Sequence, residues 1–427
     1  MSFKGSMEPL MLIYRRIRGD RRCQRVILII TGILAAVSLV QGCKNAILFS
    51  QDFQWDAAKT LVLRINPYDV SLAPEGIPDF CDFSQYYLQM EANQFPSLLF
   101  LLFPYTFLPA LAARYAWLIS NLVFTAGIIV LLRKTFLQTA DAFTFRFFML
   151  LMIAGTPYRN QLGVGQHTLF AVCFFLLAVY LTDRQERDPA GAEGKLNIGA
   201  SLALCVSYFK YTLTVPLALY FIYRKKYREL ILSVLPHIIL TFFAAWWLND
   251  SFIHMITKPL LVSSRLMGEG GLDFGVFLRL TQLRGEYVLL GIVLIYLFVL
   301  SLRFGRGKER ETAEKSLCFS GNSGTVPDGI LISVLTLWSL IITYHRTYDF
   351  FVLVIVLSMM LWPACPGHIK IWYGVVLLGV FFVLRLFSES MPSKIAVGII
   401  YYSFVLAVSW QAERFLKGSD GIDKRGV

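Results

Sequence analysis

Charge is scarce in this chain: Asp, Glu, Lys and Arg make up 16% of its 427 residues, against roughly a quarter in an ordinary soluble domain. That scarcity excludes a soluble globular protein. A mean hydropathy of +0.59 and 35 Phe point instead to a polytopic membrane protein. Histidine is also rare, with five copies widely scattered, and the seven cysteines form no CxxC pair. A zinc or redox framework is therefore excluded, and neither metal nor cofactor is expected. No glycine-rich phosphate loop is present, so nothing marks a nucleotide site. No internal repeat is present, which argues against an inverted-repeat transporter. The chain does carry a net charge of +12, but its Lys and Arg lie in short clusters between apolar runs. There they set orientation, and no basic face exists for nucleic acid.

Lys4, Arg15, Arg16, Arg18, Arg21, Arg22 and Arg25 precede the first apolar run, at about 25–49. An uncleaved first helix starting in the cytoplasm is expected. Residues 50–113 then read as an outer loop with interfacial helices. The segment carries the turn signal Asn66-Pro67-Tyr68-Asp69, and Pro96, Pro104 and Pro109 spoil 95–109 as a spanning helix. Further spans are expected at 114–132, 147–158 and 168–181, with a polar outer turn over 159–167. The run 196–223 is too long for one comfortable crossing and holds Lys210 near its middle, so it reads as two short helices meeting near the outer side. The remaining spans fall at 229–248, 286–302, 328–344, 348–362, 370–387 and 395–411. The expected fold is an all-α integral membrane protein, a single polytopic domain over 1–427, with roughly twelve spans and both termini cytoplasmic.

Several residues carry chemistry on this frame. Asp52 stands where the first helix meets outer water, so it could accept a hydroxyl proton; a solvated acid capping an interfacial helix is the plain alternative. If that stretch is helical, Asp56 shares its face one turn later and could hold a substrate hydroxyl, or be a surface acid. Asp69 reads as a turn residue. Lys210 is costly in an apolar stretch unless an anion meets it. A lipid-carrier phosphate would do so, and snorkelling to headgroups is the alternative. Arg159 and Arg346, both placed on outer turns, offer paired donors to the same phosphate. Gln166 and His167, in Gly163-Val-Gly165-Gln-His167, could line a substrate cavity, or serve only a tight turn. His345 could contact substrate or simply cap a span end.

Asp52 with Trp55, Asn66-Pro67-Tyr68-Asp69, Gln94-Phe95-Pro96, Gly165-Gln166-His167, Lys210 and Arg224-Lys225-Lys226 together resemble glycosyltransferase family 87. That family comprises polyprenol-phosphate-mannose-dependent enzymes of the GT-C membrane superfamily. The similarity runs over about 48–230 and resumes at Tyr344-His345-Arg346. It implies a GT-C fold and inverting transfer of a sugar, with mannose expected, from a polyprenyl phosphate donor to a lipid-linked or surface glycan. Asp52 would be the base, and Lys210, Arg159 and Arg346 would meet the donor phosphate. Asp56, Gln166, His167 and His345 would contact substrate. The site would open on the non-cytoplasmic side of a membrane, expected to be a bacterial plasma membrane. Two departures stand out: Gln94-Phe95-Pro96-Ser97 where the family usually shows Tyr-Pro-Pro, and Arg346 where an acidic or second His neighbour often follows the late His. The rival readings are a transporter or flippase of a lipid-linked sugar, which would also want intramembrane cations, and a non-enzymatic membrane scaffold, which gives Lys210 no purpose.

Overall fold

The computed structural model describes residues 19–50, 52–73, 91–138, 140–187, 195–266, 286–315, 326–360, 379 and 391–422. Among these the protein is helical, without strands. Six helical stretches are long and apolar enough to cross a membrane: Arg21–Leu48, Ala110–Thr135, Thr168–Arg187, Ile198–Tyr223, Tyr227–Trp247 and Val288–Gly305. Shorter apolar helices cover Pro96–Phe107, Ala142–Ala154, Asp328–Ile342 and Asp349–Ser358. This is an integral membrane architecture. The expected span at 370–387 lies, apart from residue 379, outside the described residues.

Helix α1 (Arg21–Leu48) starts where the Asp20 side chain accepts from the backbone N–H groups of Arg22 and Cys23. Its Ile29, Ile33, Val37 and Val40 are exposed, as lipid-facing residues are. Its buried stripe is small: Thr31, Ala35, Ser38, Gly42 and Ala46. A stripe of that kind lets another backbone approach closely. Helix α2 (Trp55–Val62), helix α3 (Pro67–Leu72) and helix α4 (Pro96–Leu99), which runs on as a 3₁₀ segment (Phe100–Phe107), follow before α5 (Ala110–Thr135). The proline-rich 95–109 piece is thus short and irregular, as expected for a segment that does not span.

The expected single span at 147–158 is corrected. Two helices, α6 (Ala142–Ala154) and α7 (Thr156–Val164), meet at Gly155, whose extended backbone ends the first, while Pro157 sits in the opening turn of the second. Together they climb beside α1 in the same direction. Gly32 faces Leu150, Gln41 meets Arg159, and Asn45 packs against Gly163. The crossing therefore extends to Val164, and only Gly165, Gln166 and His167 remain of the turn expected over 159–167.

Helix α8 (Thr168–Arg187) returns. Helices α9 (Ile198–Ser207) and α10 (Tyr211–Tyr223) are separated by a 3₁₀ turn, Tyr208–Lys210. The break falls at the lysine, as expected. Asn197 at the start of α9 bonds the Leu181 carbonyl, and Arg224 after α10 bonds Asp183. Both ends of this run therefore meet the same stretch of α8, which a straight helix of that length cannot do. The two arms form a hairpin with Lys210 at its tip.

Helix α11 (Tyr227–Trp247) rises again and is followed by α12 (Phe252–Leu266). Asp250 anchors the connection, bonding Asn66, His254 and Lys258, while Lys258 also pairs with Asp69 at 2.7 Å. Asp69 is thus tied into a strap holding α12 over α3. Burial pushes the Asp250 carboxyl up, but the Lys258, His254 and Ser251 contacts outweigh it and hold it at about 2. Helices α13 (Glu286–Lys315), α14 (Val326–Ile342), α15 (Leu353–Met360) and α16 (Met391–Ile422) complete the described bundle.

The two ends of the bundle differ. At one end, the turns after α1, α7, α9 and α14 converge. At the other, Arg224 gathers Asp183 at 2.8 Å, Glu186 at 2.6 Å and Asp328 at 3.8 Å, binding α8, α10 and α14 together. Buried charges survive there because each has a partner.

Candidate functional site

The chain leaving α1 turns sharply. Ser50 has φ 39° and Gln54 φ 62°, both in the left-handed region, before α2 begins at Trp55. Strained backbone of this kind persists only when its surroundings fix it, and the turn after α7 does so. The Asp52 N–H donates to the Val164 carbonyl at 2.8 Å. Gly165 has φ 70°, and a Cβ there would lie 2.8 Å from Ser50 Oγ. Its carbonyl accepts from Trp117 Nε1 at 2.7 Å. His167 Nε2 lies 3.0 Å from the Phe53 carbonyl, which can only accept, so this nitrogen carries the proton. Burial, aided by the Lys210 charge, lowers the His167 pKa to about 3, and its Nδ1 lies 3.1 Å from Gln166 Oε1.

Asp52 is partly exposed, its Oδ2 3.4 Å from Gln166 Nε2. Partial removal from water among the neighbouring side chains raises its pKa, while the Arg346 and Lys210 charges and the Tyr348 hydroxyl partly oppose that rise. A carboxyl moved toward neutrality suits proton transfer better than an ordinary surface acid.

The turn after α14 supplies the opposite wall. Arg346 Nε donates to the Tyr344 hydroxyl at 2.5 Å. Behind it, Asp349 takes Lys210 Nζ at 3.2 Å and Thr168 Oγ1 at 2.6 Å on one oxygen, and His345 Nδ1 at 3.0 Å on the other. The His345 Nε2 faces Thr343 Oγ1 at 3.0 Å. The anion that Lys210 requires is thus present within the chain.

Asp52, Gln54, Gln94, Gln166, Tyr344 and Arg346 border one polar cavity of about 50 Å³, with His167 and Tyr348 beside them. Gln54 Nε2 donates to the Glu91 carbonyl and Gln94 Nε2 to Asn93 Oδ1, which orients both amides. Their Oε1 atoms are buried and meet no donor among the described residues. Adjoining this cavity, across Gln94 and Phe95, lies an apolar groove of about 450 Å³ between α4, α10, α11 and α12, lined by Phe95, Tyr208, Tyr211, Val215, Leu219 and Val234. Exposed Val215, Val234 and Ile238 open it toward lipid. Among the described residues no three His, Cys, Asp or Glu gather as metal ligands would.

Of the residues singled out from sequence, Asp52, Gln166, His167 and Arg346 share the cavity, and Lys210 and His345 stand directly behind it on Asp349. Two lie elsewhere. Arg159 faces α1 and bonds Gln41 at 3.1 Å. Asp56 is fully buried in the first turn of α2. Because Asp52 precedes that helix across the left-handed Gln54, the two acids do not share a helical face. Asp349, Tyr348, Tyr344, Thr168, Gln54 and Gln94 were not singled out as site residues. Asp349 had a signal: it follows His345 by only four residues and supplies the acidic neighbour that the Arg346 position lacks.

A family model described as Glycosyltransferase family 87 matches residues 96–321. No curated protein and no solved structure matches. The matched segment contains Gln166, His167 and Lys210. Asp52, His345, Arg346 and Asp349 lie outside it in sequence and are brought to it by the fold.

Proposed function

The chain belongs to glycosyltransferase family 87, and from that premise we propose that it transfers a sugar, with mannose first in expectation, from a polyprenyl phosphate donor to a lipid-linked or surface glycan. One observation carries this reading: the Asp52 carboxyl and Arg346 border the same polar cavity, which adjoins a lipid-open apolar groove. The groove takes the first isoprene units of the donor. Each buried methylene there contributes about 0.8 kcal/mol. The donor phosphate then lies at the groove's upper edge, where Arg346 neutralises the charge it gains on leaving. Lys210 supports that charge from beside Asp349. Gln54 and Gln94 offer their unmet oxygens to sugar hydroxyls, which are donors.

Asp52 takes the proton of the acceptor hydroxyl as that oxygen attacks the anomeric carbon from the face opposite the phosphate. One displacement inverts the centre. His345, with both ring nitrogens engaged by Asp349 and Thr343, acts by holding the Arg346 turn rather than by touching substrate. In this reading the chain is GT-C in type, crosses the membrane roughly twelve times, and opens its site on the non-cytoplasmic side, because basic residues gather at the other end.

The test is transfer by the purified protein in detergent, from a panel of synthetic polyprenyl phosphate sugars to total membrane lipid. Asp52→Asn should lower turnover by roughly a hundredfold or more with folding retained. Near-normal turnover in a monodisperse Asp52→Asn protein would remove Asp52 as the base. Movement of a lipid-linked sugar across vesicles, with no transfer from any donor, would favour a flippase.

A further inference from the structure

Consecutive residues of one turn hold consecutive residues of another. Gln166 meets the Asp52 carboxylate, and His167 meets the Phe53 carbonyl. The amide orientation follows from chemistry. The His167 backbone N–H donates to Gln166 Oε1 at 2.8 Å, and a backbone N–H cannot accept. The oxygen is therefore committed, and Nε2 must point the other way, toward Asp52 Oδ2 at 3.4 Å and the Tyr348 hydroxyl at 3.3 Å. Gln166 is 7% exposed, so water does not substitute freely for either contact. With the Asp52 N–H fixed on Val164, both the backbone and the carboxylate of this residue are set by the stretch 164–167.

We infer that Gln166 is a positioning residue that aims the Asp52 carboxylate into the cavity and favours its charged form, rather than a residue that binds substrate. The inference rests on the reading of Asp52 as base. A donor to a carboxylate stabilises the ion, so removing the donor moves the group toward its acid form. Other groups also face Asp52: Arg346, Lys210 and Tyr348 favour the ion, Asp349 opposes it, and Glu91 borders the same cavity. Substitution of Gln166 leaves the Arg346, Lys210 and Asp349 charges in place but removes the Nε2 contact to the Tyr348 hydroxyl, so Tyr348→Phe is read alongside it.

The experiment uses the full-length protein in detergent and needs no substrate. The carboxylic-acid C=O infrared band that Asp52→Asn abolishes is followed against pH in wild type, Gln166→Leu and Gln166→Glu. The Leu variant should raise the midpoint by about half a unit to one unit, and the nearly isosteric Glu variant, which sets a second carboxyl beside the first, by more than about one unit. The acid limb of the kcat profile should move the same way, with the donor KM nearly unchanged. Unmoved midpoints in both variants, with only a lower melting temperature, would overturn the inference. So would a rise in KM alone, which would make Gln166 a substrate ligand. If the midpoints move but Asp52→Asn keeps turnover, the reading of Asp52 as base fails and the positioning stands. If Asp52→Asn is inactive and the midpoints do not move, only the positioning fails.

Discussion

Four donors converge on the Asp349 carboxylate: Lys210 Nζ and Thr168 Oγ1 on one oxygen, His345 Nδ1 and the Arg346 N–H on the other. Asp349 is 1% exposed, so losing its ammonium leaves an anion in a place that cannot solvate it. Breaking such a buried pair costs about 3–5 kcal/mol, whereas replacing both partners is far milder. Lys210→Met should therefore melt well below wild type in detergent, and Lys210→Met with Asp349→Asn should recover most of the loss. The double variant also separates chemistry from folding when it is compared with Asp349→Asn alone, which shares its altered contacts to His345 and the Arg346 N–H. If Lys210 supports the donor phosphate, a refolded double variant still transfers slowly; normal turnover would confine Lys210 to a structural pair. The cost of burying an ammonium made Lys210 legible in sequence, but its partner was not, since an anion on a distant turn leaves no local pattern. Asp52 was legible for a similar reason, as an acid at a span end. Asp56, expected on the same face if the stretch were helical, is instead buried inside α2, because the left-handed Gln54 interrupts the helix between the two acids, and nothing in residue spacing announces that.

Helices α1 and α7 approach closely because glycines sit in their seam. A Cβ on Gly163 would lie 2.9 Å from the Asn45 Cβ, and one on Gly42 would lie 3.1 Å from Leu162. Gly163→Leu must push α7 off α1, at about 1–3 kcal/mol for an overpacked core. Val164, the next residue, holds the Asp52 N–H, so the site moves with the seam. The expected result is a lower melting temperature with turnover falling further than stability alone explains. Gly32→Ala, whose nearest neighbour is Leu150 at 4.0 Å, should change neither. Normal turnover in a destabilised Gly163→Leu protein would show that the seam does not set the base. The seam was only half legible. Arg159 read as the end of a span, but Gln41 satisfies it from α1, so the helix continues past it. The hairpin at Lys210 was fully legible, because length and a central charge together forbid one straight crossing.

The protein has two polar ends of different character, and the difference fixes what each can do. Arg133 and Lys134 close α5, Arg184 and Arg187 close α8, Lys225 and Lys226 lie between α10 and α11, and Arg228 is in the first turn of α11, all at the end opposite Asp52. Basic residues of this density favour the cytoplasmic face. This much was legible from sequence, because charge clusters between apolar runs survive any error in a helix boundary. The traverse count was less so, since a crossing built of two joined helices, such as α6 and α7, does not declare its end by length. Helix α11 provides a direct measure. It has 21 residues and spans about 31 Å, enough for the hydrocarbon core, and exposed Lys225 and Asn249 flank it. In a background with the native cysteines replaced, Asn249→Cys in intact cells should react with a membrane-impermeant maleimide added outside. Lys225→Cys should react only after permeabilisation. Asn249 adjoins Asp250 and the strap over α3, on the same side as the Asp52 cavity, so its labelling reports the side on which the site opens. The reverse pattern would put Asp52 in the cytoplasm, where a carrier-borne sugar has no advantage over a nucleotide sugar, and the proposed donor would fall with it. Labelling of both from outside would mean that α11 does not cross, and the path of every helix after it would have to be redrawn.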